Sequence, residues 1–226
     1  MQVLVIGATR GTGRLLVDRL LAEGHRVRAG IRAPGQAEAL AAAGADPVPA
    51  DLEGPDEPLR AALRGAQAVV FCAGSGSGTG PDATLRVDLH GAVRSIDLAV
   101  ALGVGRYVML SSMAADDPRR GPAAITHYLA AKHAADRILE GSGLAWTSVR
   151  PGGLTHEPGS DRVEVGVPRL ERRGTIARED VAAVLAGCLT QPATIGLAFE
   201  VLEGPVPVGE ALAGLETGRA GTMAKP

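Results

Sequence analysis

The sequence has few aromatic residues and no excess of charge of either sign. Aromatic side chains make up 2% of the 226 residues, against 46% for apolar residues as a whole, so the core must be built mainly from Ala, Val, Leu and Ile. The formal net charge is −2, which creates no field that would draw the chain to nucleic acid or to a membrane surface. We therefore expect neither of them as a partner.

Cysteines are also scarce, and long hydrophobic runs are absent. Cys72 and Cys188 lie far apart in apolar runs, which predicts buried thiols in a reducing compartment. Neither they nor the five histidines have the spacing of metal ligands, so no metal is expected. No apolar run approaches the roughly 20 residues of a membrane span, and no signal peptide is evident at the start. These features predict a soluble cytoplasmic protein.

The N-terminal stretch combines a buried strand, a glycine-rich turn and a helix. Val3–Ile6 is an apolar run typical of a strand buried on both faces, and a helical pattern opens at Arg14. Gly7 allows the tight turn, Gly11 lets the backbone approach a pyrophosphate, and Gly13 has no side chain to hold the helix away from the strand. The free N–H groups of the helix start would face the anion. The stretch predicts a dinucleotide site; the alternative is a plain glycine-rich turn.

Strand and helix patterns alternate along the whole chain. The predicted strands are Val3–Ile6, Arg26–Ile31, Pro47–Ala50, Ala68–Cys72, Arg106–Leu110, Trp146–Val149 and Leu197–Leu202. The predicted helices are Arg14–Glu23, Gln36–Ala43, Pro58–Leu63, Ala83–Leu102, Ile125–Glu140 and Arg178–Leu189. This alternation predicts an α/β Rossmann fold in one domain, residues 1–217, with a doubly wound parallel sheet of about seven strands and helices on both faces. Residues 151–177 carry few periodic signals and are expected to form the mouth over the substrate, and residues 218–226 a frayed tail.

The end of the second predicted strand bears on the choice of nicotinamide cofactor. NAD-binding units usually carry an acid there to bond the ribose 2′-hydroxyl, whereas this chain has Arg32. A guanidinium can bind a 2′-phosphate through paired N–H bonds, and Arg10 in the glycine turn is a second candidate. The sequence thus favours NADP(H) over NAD(H), with solvated surface arginines as the alternative. Asp51 could accept a bond from the adenine amino group or cap the next turn.

The helix predicted over Ile125–Glu140 places a tyrosine and a lysine on one face. Tyr128 and Lys132 are four residues apart, and Lys132 falls at the centre of the apolar stripe with Tyr128 at its edge. Because an unpaired buried ammonium is costly, Lys132 should have a polar or anionic partner, such as a ribose hydroxyl, or reach out to solvent. A nearby ammonium makes a tyrosine phenol, with its ordinary pKa near ~10, usable as an acid or base. The alternative is an ordinary helix with a core tyrosine and a snorkelling lysine.

Small polar residues follow two of the predicted strands at the edge where ligands bind in open α/β sheets. Ser111 and Ser112 end the fifth strand, and a serine hydroxyl there can hold a substrate oxygen; Ser112 is the first choice. Residues 74–80, after the fourth strand, are rich in glycine and serine and form either a linker or a binding loop. Ser75 in that loop and His156 in the mouth are candidate substrate contacts, with a surface position as the alternative for His156.

Together these motifs resemble the short-chain dehydrogenase/reductase superfamily, specifically its atypical NAD(P)-binding branch of small single-domain proteins. The matching segments cover most of the chain: Gly7-Ala-Thr-Arg-Gly11-Thr-Gly13, Asp51-Leu52, Cys72-Ala-Gly74, Ser111-Ser112, Tyr128-x-x-x-Lys132, Arg150-Pro-Gly-Gly-Leu154 and Arg178-Glu-Asp-Val181. Where many reductases of the superfamily carry an asparagine before the fifth strand, this chain has Asp88 and His90.

The resemblance implies a set of site residues. It implies Tyr128 as acid/base, Lys132 as ribose anchor and Ser112 as holder of the substrate oxygen. Cys72, Ala73 and Gly74 would line the ribose side of the cofactor, and Pro151, Gly152, Gly153 and Leu154 would pass beside the nicotinamide carboxamide. Thr9, Thr12 and Leu52, inside the matching segments, complete the expected cofactor contacts.

The leading hypothesis is an NADP(H)-dependent oxidoreductase that acts on a carbonyl or hydroxyl of a small organic molecule. Two other functions stay open: an NADP(H)-binding sensor that reports cofactor state to a partner, and a redox-neutral epimerase or isomerase with bound cofactor. The serine, tyrosine and lysine favour an enzyme, whereas the short mouth segment favours a small pocket or a sensor. The helices around Ala83–Leu102 and Ile125–Glu140 could pair across a two-fold axis in a homodimer.

Overall fold

The computed structural model describes residues 1–76 and 78–215; the tail predicted over 218–226 lies outside them. The strands are β1 Gln2–Ile6, β2 Arg26–Ile31, β3 Asp46–Pro49, β4 Ala68–Phe71, β5 Arg106–Leu110, β6 Trp146–Pro151, β7 Gly153–Thr155, β8 Arg162–Gly166, β9 Thr175–Ala177, β10 Leu197–Glu203 and β11 Val206–Pro207. The α-helices are α1 Gly11–Ala22, α2 Ala37–Ala42, α3 Asp56–Leu63, α4 Pro81–Ala83, α5 Ala92–Ala101, α6 Thr126–Glu140, α7 Arg178–Thr190 and α8 Val208–Ala213. In this part of the chain no helix is long and apolar enough to cross a bilayer.

A mostly parallel sheet forms the centre of the molecule. Its strand order is β11-β8-β10-β6-β5-β4-β1-β2-β3, and all neighbouring pairs from β10 to β3 are parallel. The run β3-β2-β1-β4-β5-β6 is the order of two mononucleotide-binding halves joined side by side, which confirms the predicted Rossmann fold. The order reverses between β1 and β4, so the carboxyl ends of these two strands define the crevice in which such folds bind ligands.

The prediction of about seven strands is wrong. The central sheet has nine strands, and β7 and β9 form a second, two-stranded sheet. The extra strands fall mainly in residues 151–177, where few periodic signals are present in the sequence. β7 and β9 pair with each other, and at three residues each they are too short to show an alternating pattern. β8 pairs antiparallel with β10 and β11. The mouth segment is therefore pinned to the sheet edge by backbone hydrogen bonds.

The core is divided by the sheet into two aliphatic layers. Successive side chains of β1 point to opposite faces, so Val3 and Val5 enter one layer and Leu4 and Ile6 the other. The first layer is closed by α1 and α7, the second by α3 and α5. The N-termini of α1 and α7 lie close together, since Arg178 Nη1 is 3.4 Å from the position of a Cβ on Gly11.

A π-helix, Thr84–Gly91, joins α4 to α5 inside the single long helix that the sequence predicts. Such helices are uncommon and are frequent at functional sites, because the wider turn changes which residues face inward. Here it directs Asp88, which is fully buried, toward the protein interior. This geometry brings a carboxylate to the end of β5, as described below.

Candidate functional site

The turns after β1 and β4 are in direct backbone contact at the crevice. Gly7 has φ +86°, and a Cβ on it would lie 2.6 Å from the Ala73 nitrogen. A Cβ on Gly13 would lie 2.1 Å from the Gly7 carbonyl oxygen, so the predicted close packing of helix against strand is confirmed. On the other side, Gly11 has φ +55° and its nearest neighbour would be 3.4 Å away. The glycines thus hold α1 against β1, and the side chain nearest to Gly11 is that of Arg178.

The N-terminus of α1 fits the diphosphate of a dinucleotide. Its N-cap residue, Arg10, makes no side-chain capping bond, and the first turn contains no acidic residue. Thr12 in that turn is 3% exposed, and its Oγ1 has no hydrogen-bond partner. Uncapped N–H groups, the positive end of the helix dipole and a free hydroxyl together favour an anion. Thr9, which the sequence also assigns to the cofactor, is partly buried in the same turn.

The predicted adenosine and 2′-phosphate contacts lie at the ends of β2 and β3. Arg32 is exposed at the end of β2, and Arg10 is exposed with its Nη2 3.5 Å from the position of a Cβ on Gly76. Asp51 Oδ1 accepts a 3.1 Å bond from the Glu53 N–H, which is the turn-capping alternative. Leu52 is buried in the core. Preference for NADP(H) therefore stays a prediction that depends on the two exposed arginines.

The segment after β4 connects the crevice to the π-helix. Burial raises the pKa of the Cys72 thiol to about 12, although Lys132 opposes this rise, so the thiol is protonated at neutral pH. The Ser75 N–H donates to Asp88 Oδ2 at 3.0 Å, and its hydroxyl lies 3.4 Å from Thr84 Oγ1. Ser75 is therefore tied to the π-helix through both its backbone and its side chain.

Lys132 is buried and has an anionic partner. Its side chain is 3% exposed; Nζ donates to the Leu110 carbonyl at 3.1 Å and lies 3.5 Å from Asp88 Oδ1. The position of Lys132 on the apolar stripe predicts either such a partner or a side chain that reaches out to solvent. The second alternative is wrong, because the side chain is buried. Burial lowers the pKa of the ammonium. Interactions with Tyr128, Asp88 and Asp136 outweigh that effect, so the pKa is raised above its usual value and the charge is kept.

Asp88 is the site residue whose role is hardest to predict from the sequence. It is fully buried, and its Oδ2 accepts from Ser75 while its Oδ1 faces Lys132 with no hydrogen-bond partner within normal geometry. An unsatisfied carboxylate oxygen beside a buried ammonium can still accept a hydroxyl hydrogen bond. In the sequence this region is marked only by the absence of the asparagine that many reductases of the superfamily carry, and no local pattern indicates a π-helix.

Tyr128 and Lys132 meet at the carboxyl end of β5. The Lys132 ammonium lies 5.8 Å from the centroid of the Tyr128 ring and 5.7 Å from that of Phe71. Tyr128 itself is half-buried, in the first turn of α6. A cation between two aromatic rings is attracted by both, which fixes the lysine without covering the tyrosine.

The two serines after β5 have different surroundings. The Ser111 hydroxyl is buried and donates to Asp136 at 3.0 Å, in a cluster where Ser148 and Arg150 also donate to that carboxylate at 2.7 and 2.9 Å. Ser112 is half-buried and makes a 3.3 Å bond to the carbonyl of the next residue. A weak local bond is readily exchanged for a ligand, whereas a buried charged cluster is not. Ser112 is therefore the serine whose hydroxyl is available.

The turn from β6 to β7 carries the predicted nicotinamide contacts. Pro151 is buried at the end of β6, and Gly152 is enclosed, since a Cβ on it would lie 2.4 Å from the Gly174 oxygen. Gly153 and Leu154 enter β7. His156, the candidate substrate contact, is exposed just beyond that strand.

Glu200 links the loop that follows Ser112 to the mouth segment, residues 151–177. The sequence analysis does not predict this role. It lies in β10 and is 0% exposed. Its two oxygens accept from the N–H groups of Ala114, at 3.1 Å, and Leu170, at 2.9 Å. Ala114 has φ +66°, an unfavourable backbone conformation for a residue with a side chain, so the bond holds a bent loop in place. The signal in the sequence is a lone carboxylate inside an apolar strand.

We expect Glu200→Gln to lower the free energy of unfolding by about 1–3 kcal/mol, because the amide NH₂ of glutamine would face one of the two N–H donors. Urea unfolding measures this change. Glu203→Gln, an exposed site at the end of the same strand, is the matched control and should stay within about 0.5 kcal/mol of the wild type. Equal stability of the two variants would contradict the role given to Glu200.

Comparison with known proteins agrees with this geometry. Residues 7–192 match the model of a family described as NAD(P)H-binding. The chain is 43% identical to the uncharacterized sugar epimerase YhfK of Bacillus subtilis, over 94% of this chain and 99% of that protein.

Solved structures show the same likeness. One, from Bacillus halodurans and provisionally named an NAD-dependent epimerase/dehydratase, is 40% identical with a TM-score of 0.89 and covers 94% of this chain and 98% of its own. Another, the anaerobillin reductase ChuY from Escherichia coli O157:H7, is 25% identical with a TM-score of 0.79 and covers 91% and 98%. The similar proteins thus include both a reductase and epimerase-like members.

Proposed function

The chain belongs to the NAD(P)H-binding family, within the atypical branch of the short-chain dehydrogenases/reductases, and we propose that it is an NADP(H)-dependent oxidoreductase acting on a carbonyl or hydroxyl of a small organic molecule. The observation that carries the proposal is the Tyr128–Lys132 pair at the carboxyl end of β5. A buried ammonium next to a half-buried phenol is an arrangement that suits proton transfer more than packing.

The roles of the side chains follow from their surroundings. A bound nicotinamide supplies or accepts the hydride. In the reducing direction, the Tyr128 hydroxyl gives its proton to the substrate oxygen while the hydride adds to the substrate carbon, so the C=O bond becomes CH–OH. Lys132 keeps its charge and stabilises the phenolate that remains. The Ser112 hydroxyl donates to the same substrate oxygen and orients it.

The preference for NADP(H) is supported by charge at the end of β2. Arg32 is exposed there, and no carboxylate stands next to it to repel a 2′-phosphate. Its backbone N–H and that of Ala33 donate to Gln36 Oε1, which fixes the turn that carries the guanidinium. These bonds support a role for Arg32 as the ligand of the 2′-phosphate.

We expect Arg32→Glu to weaken NADPH binding by about 10–100-fold and NADH binding far less, because only NADPH carries the repelled phosphate. Titration of fluorescence with both cofactors measures this difference. Arg26→Glu makes the same charge change at the other end of β2, about 20 Å away, and should leave both affinities unchanged. Equal weakening of NADPH and NADH by Arg32→Glu would reject Arg32 as the phosphate ligand.

A redox-neutral epimerase is the second candidate, and the names of two similar proteins favour it. In that reaction the same tyrosine would exchange a proton with a sugar hydroxyl while the cofactor returns to its starting state. The residues are shared, so only the consumption of the cofactor distinguishes the two functions.

The deciding experiment follows NADPH absorbance with purified protein and a panel of ketones, quinones, enones and nucleotide sugars. Oxidation of NADPH in proportion to product supports the oxidoreductase. Conversion of a sugar to its stereoisomer with constant absorbance supports the epimerase. Tight cofactor binding with neither reaction would favour a sensor and overturn both enzymatic proposals.

A further inference from the structure

Two buried polar groups at the glycine turn have no partner. Among the described residues, Thr12 Oγ1 and Arg178 Nε are buried atoms without a hydrogen bond. They belong to helices far apart in sequence, α1 and α7, that cover the same face of the sheet. Arg178 Nη1 lies 3.4 Å from the position of a Cβ on Gly11, so the guanidinium is directly over the turn.

The acidic residues next to Arg178 are occupied elsewhere. Glu179 Oε2 accepts from the Gly159 N–H at 2.7 Å. The Asp180 carboxylate accepts from the N–H groups of Ser160, at 3.1 Å, and Asp161, at 2.6 Å. Across residues 1–76 and 78–215, Arg178 makes no ion pair. Within this part of the chain no carboxylate therefore neutralises its positive charge.

An arginine with a buried, unpaired N–H is costly unless a ligand completes it. At the same place the 12-residue helix α1 has an uncapped N-terminus, no acid in its first turn and the unpartnered hydroxyl of Thr12. Each of these groups can donate a hydrogen bond, and three kinds of donor at one helix N-terminus suit an oxyanion with several oxygens.

We propose that Arg178 binds the diphosphate of the cofactor from the α7 side, opposite the N-terminus of α1. The inference rests on the proposed use of a nicotinamide dinucleotide. It assigns Arg178 a role separate from that of Arg32, because the diphosphate is common to NADPH and NADH. Arg178 would thus raise the affinity for NADPH and for NADH by the same factor and have no part in the preference for one of them.

The test compares Arg178→Gln with the wild type in calorimetric titrations with ADP, adenosine, NADH and NADPH. We expect affinity for ADP, NADH and NADPH to fall by the same factor, about 10–100-fold, because each loses a charge-assisted bond to the diphosphate. Adenosine, which has no phosphate, should bind as before. Arg137→Gln, an exposed arginine at the end of α6, is the matched control and should change none of the four affinities.

Thermal unfolding without ligand separates ligand binding from a structural role. Because Arg178 has an unpaired buried N–H, Arg178→Gln should leave the melting temperature of the free protein unchanged or raised. A lower melting temperature together with weaker adenosine binding would overturn the proposal in favour of packing. Loss confined to NADPH would also overturn it, since the 2′-phosphate would then be the ligand.

The ADP measurement does not depend on turnover. If Arg178→Gln weakens ADP binding but the protein has no reductase activity, this inference is upheld and the proposed function fails. If Arg178→Gln binds ADP as tightly as the wild type does, the inference is refuted and the proposed function is unaffected. A wild-type protein that does not bind ADP at all would contradict both.

Discussion

Tyr128→Phe should lower turnover by about 10²- to 10⁴-fold, the usual contribution of a positioned acid/base, and leave cofactor affinity close to that of the wild type. The substitution removes only the hydroxyl that would exchange a proton with the substrate. Phenylalanine keeps the ring that lies 5.8 Å from the Lys132 ammonium, so the lysine and its contact with Asp88 should stay in place.

Steady-state kinetics with the substrate found in the panel and NADPH titration provide the two measurements. A fall in kcat with an unchanged cofactor Kd is the expected pair of results. Retained activity would remove Tyr128 from the mechanism and leave proton transfer to another group or to water. A matching loss of NADPH affinity would mean that the phenol holds the cofactor and not the substrate.

The other tyrosine of the chain provides a matched control. Tyr107 is fully buried, its hydroxyl is 2.7 Å from Ser95 Oγ, and no step of the proposed mechanism uses it. Tyr107→Phe removes the same atom and should cost about 1 kcal/mol of stability through the lost hydrogen bond. Its kcat should match the wild type. A large loss of activity in this control would show that removal of any buried phenol hydroxyl impairs the enzyme.

Gly13→Ala should lower the free energy of unfolding by about 3 kcal/mol or more and weaken cofactor binding with it. The added Cβ would lie 2.1 Å from the Gly7 oxygen and 3.2 Å from the Cys72 Cβ. The turn cannot retreat, because Gly7 is itself packed against the backbone of Ala73. Relief therefore requires α1 to move away from β1, which also displaces the helix N-terminus that would bind the diphosphate.

Urea unfolding and NADPH titration check this expectation, and failure to obtain folded protein has the same meaning. Gly209→Ala is the control, since Gly209 also lies in the first turn of a helix, α8, but a Cβ there has no neighbour within 4 Å. That variant should be stabilised, by up to about 1 kcal/mol, because alanine suits a helix better. A Gly13→Ala protein with normal stability and affinity would refute the close packing at the turn.

Much of the fold can be predicted because its central strands are short apolar runs bounded by turns. β2 and β5 begin and end at the predicted residues, Arg26–Ile31 and Arg106–Leu110. The helix α1 begins at Gly11 and not at the predicted Arg14, so the last residues of the glycine turn already belong to the helix. These elements follow local rules of periodicity and turn chemistry.

The edge of the sheet follows tertiary pairing instead. β7 and β9 exist only because residues 153–155 and 175–177 lie side by side in the folded chain. β8 has an alternation of valine with charged residues over Arg162–Gly166 that could have been read as an antiparallel edge strand. The prolines and glycines around it hid that signal.

The candidate site divides in the same way. Helical periodicity places Lys132 on a buried face, so the need for a partner is predictable, but the identity of Asp88 depends on how the π-helix packs against α6. Glu200 is likewise an ordinary charged residue in sequence, and Arg178 stands out only as part of the family-like segment Arg178-Glu-Asp-Val181. Arg178 matters because its buried Nε has no hydrogen-bond partner in the described residues. Glu200 matters because its carboxylate accepts from the backbone N–H groups of both Ala114 and Leu170.

The π-helix has a consequence for how this sequence can change its length. A π-turn holds one more residue than an α-turn between fixed ends, so Thr84–Gly91 accommodates an insertion without moving α4 or α5. Deletion of a single residue from this stretch would restore an ordinary α-helix and rotate Asp88 by about 100° relative to the residues beyond the deletion. Among relatives that align without gaps elsewhere, a one-residue gap here would thus mark proteins whose lysine has lost its carboxylate partner.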